Sequence, residues 1–258
     1  MFAKFNLRLQ EGQIEENYRE YALQARDVIS RSTHRILSDY LLNDGSLDAS
    51  AMERDWFPEI KANVFLSHSH ADEEAVIRFA GFLYKEYGLT CFIDSTVWGY
   101  ADDLLKQIDD KYCVQTKDEL GKKTYSYEKR NRSTSQVHLL LQGALAKMID
   151  KCECLIFVNT PHSIQVTEMQ NVTNTASPWI YSELLMANTF PRRDYDEYRS
   201  DELEHSSYRL SYHVNLTGFV DLTLEDIIDL KKNLVINTPT KVLELLYLRK
   251  QVLIQGER

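Results

Sequence analysis

Cysteine is scarce in this 258-residue chain, and the four that occur do not form a metal or redox signature. The closest pair, Cys152 and Cys154, is spaced C-x-C rather than the C-x-x-C of zinc ribbons and thioredoxin-like sites. Cys91 and Cys154 lie inside apolar runs and read as buried thiols. Long hydrophobic runs are missing too: nowhere do about eighteen apolar residues follow one another, so no membrane span is predicted. The opening MFAKFNLRLQ lacks the apolar stretch of a signal peptide, which makes the reducing cytoplasm the expected compartment and leaves the sequons at Asn131, Asn171 and Asn215 as chance matches. Positive charge is in deficit, 30 Lys and Arg against 39 Asp and Glu. A protein built mainly to bind nucleic acid needs clustered cations to displace phosphate counterions, so that class is disfavoured; a small anionic ligand is not. No G-x-S-x-G elbow, phosphate loop, H-E-x-x-H or G-x-G-x-x-G occurs, and no internal repeat or low-complexity tract.

What is present is the make-up of a globular protein, 43% hydrophobic and 27% charged, enough for one large domain with a smaller appendage. Residues 1–60 read as an N-terminal helical extension and linker, with Tyr18, Tyr21, Ala22, Ala25, Val28 and Ile29 at helical spacing and a break at Asn43 to Ser46. The domain proper is expected over 61–235. Val64 to Ser67 is a short buried-strand run. A helix follows with the stripe Val76, Phe79, Ala80, Leu83 and Tyr87, Asp72 as candidate N-cap and Gly88 as its stop. Leu89 to Ile93 and Cys154 to Asn159 are two more strand candidates, separated by helices over Ala101 to Lys111 and Ser135 to Lys151. Between these helices, 113–133 reads as a polar surface insertion. Ser177 and Pro178 have N-cap and N1 chemistry for a helix running to Thr189. Arg192 to Ser207 reads as a charged surface segment, Tyr212 to Leu216 as a strand, Leu224 to Lys232 as a helix, and 236–258 as a C-terminal helix. Strands alternating with helices predict an α/β fold with a parallel central sheet covered on both faces, whose ligands collect at the carboxyl ends of the strands.

Three loops then converge: Ser67 to Asp72, Asp94 to Tyr100, and Thr160 to Trp179. Trp179 and Glu183, spaced i and i+4, share a helix face, where the indole would shield the carboxylate from water and strengthen its interaction with developing positive charge. Each residue also has a plain structural role open to it: Glu183 as a glutamate favoured by the helix dipole, Trp179 as core, Asp72 as a cap, Asp94 as a turn residue. His68 and His70 have H-x-H spacing but no evident third ligand, so no metal is expected.

The segments VFLSHSHAD (Val64 to Asp72), CFIDSTVWGYAD (Cys91 to Asp102) and W-x-x-x-E (Trp179 to Glu183), in that order, resemble a Toll/interleukin-1 receptor (TIR) domain of the bacterial, NAD-consuming kind. The resemblance covers about residues 63–190 and implies a flavodoxin-like three-layer fold. It implies that Glu183 is the catalytic carboxylate at the ribose carrying nicotinamide, and that Ser67, His68, His70, Asp94, Ser95, Trp98 and Trp179 line the substrate pocket. Where many TIR enzymes have an aromatic near the first loop, this chain has His68 and His70, so the stacking partner would be Trp98, Trp179 or a residue of another subunit. NAD would be substrate rather than cofactor, which suits the missing dinucleotide fingerprint. The implied role is an NAD glycohydrolase or ADP-ribosyl cyclase-like enzyme of anti-phage defence, as in Thoeris systems. Self-association and a separate effector that responds to the nucleotide product are expected with it. A non-catalytic TIR interaction module, docking through Val97, Trp98 and Tyr100, and a nucleoside deoxyribosyltransferase-like enzyme are the alternatives.

Overall fold

The computed structural model describes residues 1–10, 12–29, 36–97, 101–117, 121–167, 172–191, 218–230 and 238–252. In chain order the elements are β1 (Ala3–Arg8), α1 (Tyr18–Ile29), α2 (Ala49–Trp56), β2 (Val64–Ser67), α3 (Glu73–Tyr87), β3 (Cys91–Phe92), α4 (Asp94–Val97), α5 (Ala101–Ile108), β4 (Val114–Lys117) and β5 (Lys123–Tyr125). There follow α6 (Tyr127–Lys151), β6 (Cys154–Asn159), β7 (Gln165–Thr167), β8 (Val172–Asn174), α7 (Pro178–Thr189), β9 (Val220–Leu222), α8 (Leu224–Ile228) and α9 (Pro239–Arg249). The chain divides into two compact units, one of Met1–Ile29, Lys61–Ile93 and Met148–Arg258, the other of Ser30–Ile60 and Asp94–Lys147.

The first unit is an α/β fold around a five-stranded sheet in the order β3-β2-β6-β1-β9, with every pairing parallel. The presence of β1 in this sheet corrects the reading of residues 1–60 as a helical extension. Residues 3–8 alternate Ala, Phe and Leu with Lys, Asn and Arg, and the apolar half of that alternation packs into the core. Register carries one row straight across the sheet, Ser67 beside Phe157, Phe157 beside Asn6, Asn6 beside Asp221.

Because side chains alternate along strands, the sheet has two distinct faces. Val64, Leu66, Cys91, Cys154, Ile156, Val158, Phe5, Leu7 and Leu222 form one, and they share a core with α3, α8 and α9. The C-terminal helix is therefore part of this unit, with Val242, Leu243, Leu246 and Tyr247 buried. The expected α3 stripe is buried throughout, and Gly88 ends the helix in the left-handed conformation (φ 68°), returning its N–H to Leu83 and Tyr84 carbonyls. Helix α1 crosses α3 at Gly81, where an added Cβ would stand 1.8 Å from the Tyr18 carbonyl oxygen. The opposite face carries Ser67, Lys4 and Asn6, and α7 lies over it: Lys4 Nζ donates to Asn188 Oδ1 at 2.9 Å and Ser67 reaches Glu183. Helices thus cover both faces.

In the second unit, α2 is capped by Asp48, whose carboxylate accepts from Ala51 N at 2.9 Å. Residues 113–133, expected as a solvated surface insertion, contain the antiparallel β4–β5 hairpin, whose strands are largely exposed, and the first turns of α6. A π-helical turn over Asp109–Cys113 precedes the hairpin. Its buried Asp109 accepts from Ser133 Oγ at 2.5 Å and from Arg130 Nε at 2.8 Å, which fastens the start of α6 at Tyr127 rather than at the predicted Ser135. The expected strand at Tyr212 to Leu216 and the segment Arg192 to Ser207 lie outside the described residues. Among the described residues no helix is long and apolar enough to cross a membrane.

Candidate active site

The carboxyl ends of β3, β2 and β6 stand side by side, so the loops leaving β2 and β6 are neighbours. Strand β2 is apolar through Leu66 and ends on Ser67, which alternation turns to the α7 side of the sheet. Helix α7 begins as predicted: Ser177 Oγ accepts from Ile180 N at 3.3 Å and Pro178 fills the first helical position, where a missing N–H costs nothing. Ile180, Glu183, Leu184 and Ala187 are its buried positions, spaced 0, 3, 4 and 7. A carboxylate therefore occupies a slot in the sheet-facing stripe that spacing alone would assign to an aliphatic residue.

Glu183 is 2% exposed, and Ser67, fully buried, donates its hydroxyl to Glu183 Oε2 at 2.5 Å. Burying a carboxylate is tolerable only when it is hydrogen-bonded, and this short bond from the end of β2 supplies part of that satisfaction. Trp179, by contrast, is 37% exposed. Glu183 itself rests against the sheet face, where Ser67 reaches it. Of the predicted group, the structure brings Ser67 and Glu183 into direct contact.

The remaining predicted residues occupy distinct places. His68 is buried, with Nδ1 3.3 Å from the carbonyl of Leu66, so its ring folds back on its own strand. His70 is exposed and opens the short 3-10 turn His70–Asp72. Asp94 and Ser95 begin α4 in the second unit. Trp98 and Tyr100 lie outside the described residues. Among the described residues no three metal-ligating side chains come together.

Asp72 departs from its expected role. It stands at the N-cap position of α3 but makes no capping bond. Its carboxylate, 9% exposed, turns to the loop after β6, accepting from Thr160 Oγ1 at 2.5 Å through Oδ2 and from His162 Nδ1 at 2.8 Å through Oδ1. Thr160 and His162 were not singled out by the sequence. The one signal for them is a Thr-Pro-His-Ser turn immediately after the apolar run of β6.

A second polar chain crosses the α7 side of the sheet. Asn159 Nδ2 donates to Asn6 Oδ1 and Asn6 Nδ2 to Asp221 Oδ1, both at 3.0 Å. Asn6 is buried, so these amides tie β6, β1 and β9 together near their carboxyl ends. Arg8 ends β1 beside Asn159 and is exposed.

The thiols are inert by environment. Cys91, Cys113, Cys152 and Cys154 are all buried and reduced. Desolvation pushes Cys152 up to about 12 and raises Cys91 and Cys154 as well. Compared with protein-family models, curated proteins and solved structures, the chain gives no match.

Proposed function

We propose that the chain is a TIR-domain enzyme that cleaves NAD at the bond between nicotinamide and ribose and yields an ADP-ribose-derived product. The observation that carries the reading is Glu183, a carboxylate buried in the sheet-facing stripe of α7 and bonded by Ser67 at the carboxyl end of a parallel strand. The strand order β3-β2-β6 also fits the 2-1-3 portion of a flavodoxin-like sheet, with β1 in the place a fourth consecutive strand would take.

The chemistry suits one fixed carboxylate. Nicotinamide leaves as a neutral molecule and takes the glycosidic electron pair, so no acid has to protonate it. What needs help is the positive charge that develops on the ribose, and a preorganised anion in a water-poor setting stabilises that charge without reorganising. Ser67 fixes one oxygen of Glu183, holding the carboxylate in one orientation through the reaction. His68, His70 and Trp179 would line the approach.

The biological setting that goes with this activity is bacterial anti-phage signalling, with a self-associating enzyme and a separate effector for its product. Purified protein incubated with NAD should release nicotinamide, and Glu183→Gln, which keeps size and an acceptor for Ser67, should lose at least about 100-fold of that rate. Wild-type protein that stays inert, assembled or not, overturns the reading. Release of free base from deoxynucleosides instead of NAD would identify the chain as a deoxyribosyltransferase-like enzyme.

A further inference from the structure

Asp72 and His162 form a device that the Glu183 chemistry above does not use. Both oxygens of Asp72 are engaged, and both by residues of the loop after β6. That loop is itself tightly built. Thr160 Oγ1, while donating to Asp72, accepts from the backbone N–H groups of His162 and Ser163, each at 3.2 Å. Ser163 Oγ accepts from Thr160 N at 2.8 Å and donates to the Thr160 carbonyl at 3.0 Å. His162 is thus held at its backbone by Thr160 and at its ring by Asp72.

The bond to Asp72 decides which ring nitrogen is free to act. With Nδ1–H donated to a carboxylate, Nε2 is the acceptor, and the ring is 62% exposed. At this edge His68 is folded onto Leu66 and His70 is exposed at the start of its turn, whereas His162 is tied to a buried carboxylate. A carboxylate that fixes the tautomer and steadies the imidazolium is the arrangement of a general base. Its place is consistent with that use. Thr160 lies three residues beyond Phe157, the register partner of Ser67, so the loop begins about 10 Å past the Ser67–Glu183 row, a span that a nucleoside and a histidine side chain cover together.

We propose that His162 is the base that takes the proton from the attacking water or hydroxyl in NAD cleavage, with Asp72 as its positioning residue; this rests on the NAD reading above. In the step, the bond from the ribose anomeric carbon to the nicotinamide nitrogen breaks and its electron pair leaves with nicotinamide. The water oxygen bonds to that carbon, the water proton passes to Nε2 of His162, and the imidazolium, paired with Asp72, returns it to solvent.

The assignment separates two reactions of one intermediate. Attack by water requires a proton to be removed, whereas attack by a pyridine nitrogen, which exchanges a pyridine base for nicotinamide, does not. His162→Gln should therefore slow NAD hydrolysis by about 100-fold or more, while exchange with 3-acetylpyridine stays within about twofold of wild type. Asp72→Asn should lower hydrolysis by a smaller factor and again spare exchange, a selectivity that a merely structural role would not produce. Unchanged exchange and an unchanged melting curve show that the variants remain folded. If hydrolysis and exchange fall together, or hydrolysis does not fall, the assignment of His162 is overturned. Glu183→Gln should lose both reactions, and a wild type inert in both refutes the NAD reading itself, and this proposal with it.

Discussion

Ser67→Ala tests whether the short bond to Glu183 is an energetic link or a coincidence of two buried groups. A hydrogen bond to an ionised partner contributes about 1.5–3 kcal/mol, against about 0.5–1.5 kcal/mol between neutral groups. With Ser67 fully buried and Glu183 2% exposed, solvent cannot take over the lost donation. Ser67→Ala should therefore cost about 1.5–3 kcal/mol in the wild-type background, a fall in Tm of roughly 3–12 °C for a chain of this size. In a Glu183→Gln background the same substitution removes a neutral bond and should cost about 0.5–1.5 kcal/mol. The cycle should then give a coupling of about 1–1.5 kcal/mol. Urea melts of the four proteins at one pH, with m-values compared, supply the measurement. A cost below about 0.5 kcal/mol in both backgrounds would mean that the hydroxyl does not bond the carboxylate in solution. Equal costs in both would mean that Glu183 is not ionised in the folded protein, and would remove the basis for using it as a fixed anion.

Further outcomes follow from packing and burial elsewhere. Gly81→Ala drives a methyl group into the Tyr18 carbonyl, which is backbone and cannot rotate away, so α1 must move off α3; a loss of about 1–3 kcal/mol in urea unfolding is expected. Asn6→Ala breaks the amide chain from Asn159 to Asp221 and should cost about 1–3 kcal/mol, with hydrogen exchange speeding up first in β1 and β9. The buried cysteines should resist a thiol reagent at pH 8 until the protein unfolds. A folded-state pKa raised above the unfolded value contributes stability that is present below the unfolded value and lost above it. For Cys152 that loss runs from the ordinary 9.0 to about 12, so urea midpoints should fall as pH climbs past 9, and less steeply in Cys152→Ser.

Much of this architecture was legible where local rules and tertiary demands agree. Helix α3 carries its apolar stripe at helical spacing and stops at Gly88, and α7 starts where Ser177 and Pro178 place it. Strands β2 and β6 are short apolar runs, as strands buried on both faces must be. Strand β1 escaped notice because it obeys a different pattern. Its strict alternation is that of a half-buried strand, yet it lies between β6 and β9, its polar face satisfied by Asn188, Asn159 and Asp221 rather than by water. No local signal announces partners so distant in sequence. The β4–β5 hairpin was hidden for the opposite reason, since its Lys- and Thr-rich strands have no apolar face to read.

At the site, Glu183 was legible through the W-x-x-x-E spacing, and its bond to Ser67 needed the sheet. Asp72 illustrates the limit well. Before a helix an aspartate is most simply read as a cap, and only the approach of the β6 loop shows that its oxygens are taken by Thr160 and His162. A histidine in a polar turn, with its partner 90 residues earlier, has no spacing that would mark it.

The position of β1 also bears on how the protein can be cut. A fragment trimmed to residues 61–235, the boundaries that patterning suggests, would keep Ser67, His162 and Glu183 but lose the strand between β6 and β9. The backbone donors and acceptors of Cys154 to Asn159 would then face solvent along an apolar edge, an invitation to pair with a neighbouring molecule. Such a fragment, which also loses the buried α9, should aggregate, and restoring residues 1–60 and 236–258 should return it to solution.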